Sequence, residues 1–129
     1  MNSIGYKFNS LGEDRFNLKV ICKHLRADLK ELVKEFDSRF GMKKSCAFSV
    51  SKDRYAITVK IKQIPSIAFN ENIEFNYWKN PRVLLKEEIW KKLEFVGNAY
   101  NYDHSEIMTD YFDCNYYFHL EFAENIQII

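Results

Sequence analysis

Three stretches of strict alternation constrain this chain more than anything else in it. In Ser45–Ser51, residues Cys46, Phe48 and Val50 alternate with Ser45, Ala47, Ser49 and Ser51. In Arg54–Lys62, Tyr55, Ile57, Val59 and Ile61 alternate with Arg54, Ala56, Thr58, Lys60 and Lys62. Between Asp113 and Phe122, Cys114, Tyr116, Phe118, Leu120 and Phe122 alternate with Asp113, Asn115, Tyr117, His119 and Glu121. A period of two sends successive side chains to opposite faces, so each stretch predicts a strand with one apolar and one polar side. Lys52-Asp53 reads as a tight turn joining the first two into a hairpin. Pro65 has no N–H to give a ladder and marks the end of the second.

Half-apolar strands need a cover, and the sequence supplies two helices. Leu18, Ile21, Leu25, Leu29, Leu32, Phe36 and Phe40 recur at steps of three and four, which predicts a helix over Leu18–Phe40. Asn17 is its N-cap, Phe16 and Ile21 have the spacing of a hydrophobic staple, and Gly41 ends it. A second helix is capped by Asn80 with Pro81 in its first position. It carries the stripe Leu85, Ile89, Leu93 and Val96 and stops at Gly97-Asn98. The order α-β-β-α-β predicts an α+β fold: a three-stranded antiparallel sheet with both helices packed on one face. Residues 1–129 read as one domain, with 1–16 a loose lead-in and a short strand near Tyr6–Phe8. Ser66–Lys79, with Phe69, Phe75, Tyr77 and Trp78, reads as a loop packed over the core edge. Asn101–Phe112 reads as a polar connection with one helical turn capped by Ser105.

A chain of 129 residues, 47% of them apolar, buries enough surface to fold without disulfide or metal staples. Cys22, Cys46 and Cys114 are odd in number, lie on or beside apolar stripes and form no CxxC, so they read as reduced thiols of a cytoplasmic protein. The longest strictly aliphatic run is Val83-Leu84-Leu85, which excludes a membrane span, and MNSIGYKFNS contains no signal-peptide core.

The net charge of +1 conceals a division. Residues 1–62 hold 14 Lys and Arg against 7 Asp and Glu, whereas residues 63–129 hold 5 against 11. Along the first helix, Lys19, Lys23, Arg26, Lys30 and Lys34 share one flank, and Asp28, Glu31 and Glu35 the other. Phosphate-binding loops, GxSxG, HExxH and the EF-hand pattern are all absent from the sequence. The densest polar cluster is Tyr100-Asn101-Tyr102-Asp103-His104-Ser105-Glu106, followed by Asp110 and Asp113. It reads as turn caps and contact surface rather than a metal or acid–base centre. No catalytic residue, metal ligand or cofactor is assigned.

Two segments carry a resemblance to a known family. Cys46–Ile64, above all Phe48-Ser49-Val50 followed by Ala56-Ile57-Thr58-Val59, is similar to its hairpin. Tyr102-Asp103-His104-Ser105, Thr109-Asp110-Tyr111-Phe112 and Asn115-Tyr116-Tyr117-Phe118 resemble its C-terminal signature, and the helix at Leu18–Phe36 matches its leading helix. The family is the large polyvalent protein-associated domain of type 29, and the likeness covers most of residues 17–123. It implies an origin in phages, plasmids or related mobile elements, and it maps no catalytic residue onto this chain.

Two functions follow as expectations. The preferred one is a small non-enzymatic binding protein, a counter-defence inhibitor of the anti-CRISPR or anti-restriction kind. It would occupy a host protein, such as a nuclease, through an acidic, Tyr-rich surface made by Asp103, Glu106, Asp110, Tyr111, Asp113, Tyr117 and Glu121. The alternative is a nucleic-acid-binding module. Lys19, Lys23, Arg26, Lys30 and Lys34, with Lys60 and Lys62 of the sheet, would meet phosphate, while Tyr117 and His119 stack on bases. An enzyme centred on Asp103, His104 and Asp110 is the weakest reading. The polar sheet face or an edge strand also offers a route to a homodimer.

Overall fold

The computed structural model describes residues 3–70, 80–103 and 114–129. Helix α1 (Leu18–Phe40) begins where Asn17 turns the chain, its side-chain oxygen accepting from the backbone N–H of Lys19 and Val20. It ends at Gly41, whose φ of 64° is a left-handed conformation that a side chain would strain. The predicted stripe is the buried one: Ile21, Leu25, Leu29, Leu32 and Phe36 are all under 5% exposed.

Strands β2 (Ala47–Lys52) and β3 (Ala56–Ile64) form the antiparallel hairpin. The turn falls later than Lys52-Asp53. Asp53 closes it by bonding Ala56, with Arg54 and Tyr55 at the tip, and Tyr55 is 62% exposed rather than inward. The Asp53 carboxylate accepts from the backbone N–H groups of Tyr55 and Ala56, which fixes the turn from inside. A bulge opposite Ala47 slips the pleat of β3 by one residue, so Ile61 and Ile64, three apart, both bury completely.

Strand β5 (Tyr117–Ile128) lies on the other side of β3, giving the order β2-β3-β5. Here the expected antiparallel sheet is corrected. β5 pairs with β3 in parallel, Ile57 opposite Phe118, Val59 opposite Leu120 and Ile61 opposite Phe122, so the sheet is mixed. Alternation reports which face a residue takes and nothing of strand direction. Direction is set by the connection, and this one contains a helix that carries the chain back to the end it started from. β5 starts four residues after Asp113 and outruns Phe122. Ala123–Ile126 bulge out of register before Gln127 and Ile128 rejoin the end of β3, and the burial of both Phe122 and Ala123 breaks the period there.

The second helix is also divided. Asn80 and Pro81 open a single turn, α2 (Pro81–Leu84), and then Leu85 is extended, at φ −86° and ψ 152°. Leu85 bridges Phe69, and the backbone N–H of Lys86 donates to Ala68. This tertiary pairing holds Leu85 out of a helix while still burying it. Helix α3 (Glu87–Gly97) then presents Ile89, Leu93 and Val96 to the core. Leu29, Leu32 and Phe36 of α1 and these three residues of α3 form one cluster with Val59, Ile61 and Phe122. Both helices therefore sit on one face of the sheet, and the fold is α+β. Gly97 is required for space, because a Cβ there would overlap the Phe118 ring.

Ahead of α1, β1 (Ser3–Ile4) pairs with β4 (Tyr102–Asp103), so the short strand lies earlier than Tyr6–Phe8. Phe8–Phe16 runs in 3-10 turns and Phe8 is buried. The Lys7 ammonium reaches Asp28 of α1 at 2.9 Å, and Tyr100, 2% exposed, donates its hydroxyl to the same carboxylate at 2.6 Å. That carboxylate therefore ties together the lead-in, α1 and the turn after α3. Among the described residues no helix is long and apolar enough to cross a membrane.

Candidate functional site

The two flanks of α1 meet different neighbours. On the acidic flank Asp28 takes Lys7 and Tyr100, and Glu35 pairs with Lys92 of α3 at 3.1 Å. Nearby, Arg39 of the last turn of α1 holds Glu88 of α3 at 2.7 Å. Beyond this contact the charges of α3 are matched again, Arg82 with Glu94 and Lys91 with Glu87.

The basic flank faces β2, which like β5 is an edge strand of the sheet among the described residues. All five expected cations are exposed. Lys34 pairs with Glu31 of its own helix, and the Arg26 guanidinium donates to the Val50 carbonyl at 3.0 Å. Lys19, Lys23 and Lys30 have no ion-pair partner among the described residues. Lys43 and Lys44 before β2, Lys52 at its end and Arg54 after it, all exposed, extend the same sign of charge around this margin.

Between α1 and β2 lies a groove of about 460 Å³, floored by Leu29, Val33, Cys46 and Phe48 and rimmed by Lys30 and Lys34. No local pattern announces this groove, because it arises where the apolar stripe of α1 overhangs the outermost strand of the sheet. Cys46 in its floor is not a nucleophile in waiting: burial pushes its thiol up to about 11. Burial also raises the Cys22 thiol, against the opposing effect of nearby Arg26 and Lys52.

The remaining candidates divide between two places. Lys60, Lys62, Tyr117, His119 and Glu121 project, exposed, from the uncovered face of the sheet. Register sets Glu121 opposite Lys60 and His119 opposite Thr58. These residues lie on the far side of the sheet from α1, so the cations of the helix and the aromatics of the strand do not form one surface. Of the expected acidic, Tyr-rich surface, Asp103 is placed only by its backbone, opposite Ser3 in the small β1–β4 ribbon. Glu106, Asp110, Tyr111 and Asp113 lie outside the described residues, as do His104 and Ser105.

The near half of that polar cluster is structural. Asn101 donates to the Tyr116 carbonyl and accepts from the N–H groups of Asn115 and Tyr116. Asn115 in turn donates to the carbonyls of Arg15 and Tyr100. Among the described residues no group of His, Cys, Asp and Glu is disposed to hold a metal ion. A larger hollow of about 520 Å³ lies between α3 and β1, where Tyr6 and Phe95 stack at 5.0 Å. Its charged lining, Glu94 and Lys91, is already paired within the fold. Compared with protein-family models, with curated proteins and with solved structures, the chain matches none of them.

Proposed function

We propose that this chain is a non-enzymatic module that binds another protein, and that its working surface is the margin between α1 and β2. The observation that carries this reading is the groove itself: an apolar floor, a lysine rim and a strand edge with which no described residue pairs, in one place. Apolar area beside matched charge is how protein partners gain both affinity and orientation. The segments that resemble the type 29 domain add a mobile-element setting, in which such a module would act as a counter-defence inhibitor by occupying a host protein.

A nucleic-acid partner is the second reading, favoured by the three unpaired lysines of α1. It leaves the apolar floor without a role, and Arg26 is engaged inside the fold. Affinity capture from a nuclease-treated host lysate, followed by cross-linking mass spectrometry, tests the choice. Cross-links from Lys30, Lys34 or Lys52 to a retained protein are the expected result. Retention of nothing, beside a gel shift with duplex DNA or RNA that K23E/K30E abolishes, overturns the protein reading.

A further inference from the structure

The strand that walls the groove shows which of its backbone groups are free. The Asp53 N–H bonds the Ala56 carbonyl at 3.0 Å, so these two residues are a hydrogen-bonded pair of the hairpin. Bonded and non-bonded pairs alternate along an antiparallel ladder. Ser51–Thr58 and Ser49–Lys60 are then bonded, while Lys52–Ile57, Val50–Val59 and Phe48–Ile61 are not. The N–H and C=O groups of Phe48, Val50 and Lys52 therefore point away from β3. Arg26 supplies an independent check, because the Val50 carbonyl that it reaches must face outward. Proteins usually block such edges along their length. Here the guanidinium blocks the middle, and no described residue covers the Phe48 end, beside the groove.

The geometry points to strand addition: a short extended segment of a partner protein, with acidic residues two positions either side of an apolar one, pairs with Phe48 on the outer edge of β2. This inference rests on the protein-binding reading and names the chemistry of the partner. Residues on one side of an extended chain recur every ~6.6 Å. Lys30 and Lys34 stand four residues apart on α1, about 6 Å of helical rise. Carboxylates two residues to either side of an apolar side chain seated over Leu29 and Val33 stand roughly 13 Å apart, and the long, exposed side chains of Lys30 and Lys34 span the difference. A second copy of the chain is a poor occupant. Pairing β2 with β2 would bring Arg26, Lys30, Lys34 and Lys52 of one copy against those of the other, and like charges across a strand pair repel.

The test selects a displayed random-heptapeptide library on the full chain, with duplex RNA and duplex DNA in parallel, and maps the products by amide NMR and hydrogen exchange. Enrichment of peptides with Asp or Glu two residues either side of an apolar residue is expected. Their binding should fall at least tenfold on K30E/K34E, whose circular dichroism matches wild type, and the Phe48 amide should become protected in the complex. Peptides that bind with other residues protected, or that K30E/K34E leaves unaffected, overturn the strand-addition inference and leave the protein-binding reading standing. No enriched peptide, with RNA or DNA perturbing the α1–β2 margin instead, overturns both. A concentration-dependent dimer that protects Phe48 without peptide overturns the choice of occupant.

Discussion

The two flanks of α1 carry opposite charges and have opposite uses. Two of the three carboxylates of the acidic flank are consumed by the fold: Asp28 clasps Lys7 and Tyr100, and Glu35 meets Lys92, while Glu31 pairs with Lys34 of its own helix. The basic flank lies over an apolar groove, and three of its lysines have no ion-pair partner among the described residues. The difference shows why sorted charge on a helix is ambiguous in sequence. One flank is neutralised by elements far along the chain and the other is not, and only the packing distinguishes them.

If the α3 side is where stability resides, damage there should be severe and should leave the α1–β2 surface chemically unaltered. Leu93 is 1% exposed and sits in the core shared by α1, α3 and the sheet. Leu93→Ala should cost about 2–5 kcal/mol in urea denaturation, because the cavity collapses only partly. Next comes the clasp. Asp28→Ala strands the buried Tyr100 hydroxyl and removes a charge-assisted bond, with an expected loss of about 1.5–3 kcal/mol. Adding Tyr100→Phe to that variant should recover part of the loss by removing the orphaned hydroxyl. A double variant no more stable than Asp28→Ala alone would mean that Asp28 acts by another route.

Much of this closed side was legible in advance. The stripe of α1, its caps and the face taken by every β3 residue from Ile57 to Ile61 follow from local period and cap chemistry. What failed was non-local. The parallel course of β5 depends on what the connection does, and the break before α3 depends on Phe69 reaching Leu85 from outside the helix. Asn101 reads as part of a polar turn cluster and Asn115 as a polar-face residue of the last strand, because side-chain amides have no sequence signature for serving backbone groups elsewhere. The groove was unreadable for the same reason. Leu29, Cys46 and Phe48 of its floor fall on apolar faces by local period while Val33 does not, and nothing local says that α1 overhangs the outer edge of β2.

Alkaline pH probes both sides together. Lys7 is raised chiefly by its hydrogen bond to Asp28, Tyr100 is raised by burial and by that same carboxylate, and burial lifts Cys46 to about 11. In each case the folded state holds its proton more tightly than the unfolded chain. The stability is complete below the ordinary values of 9.0 to 10.5 and is lost as pH rises through the folded ones. Denaturation midpoints should therefore be flat near neutrality and fall above about pH 9, with Cys46 contributing at most about 1.4 kcal/mol per pH unit. Cys46→Ala should flatten the first part of that fall, and an unchanged slope would remove Cys46 from the account. Smaller again is Arg39→Ala, which opens a half-exposed ion pair between α1 and α3 and should cost about 0.2–1 kcal/mol.

The smallest effect on stability is the one on which the contrast turns. Lys19 and Lys23, like Lys30 and Lys34, are four residues apart on an exposed helix face, where like charges destabilise by about 0.2–0.5 kcal/mol per pair. A flank kept only for the fold gains nothing from this repulsion. Lys23→Glu replaces it with attraction to Lys19 and Arg26, so the variant should be as stable as wild type or a few tenths of a kcal/mol more stable, as read by thermal denaturation at low salt. Added salt should erase the gain, since screening acts on exposed charges first. A loss of more than about 1 kcal/mol would instead place Lys23 among the structural charges, beside Asp28 and Glu35. The two flanks would then differ in sign but not in use, and the case for a basic surface held ready for a partner would fail with them.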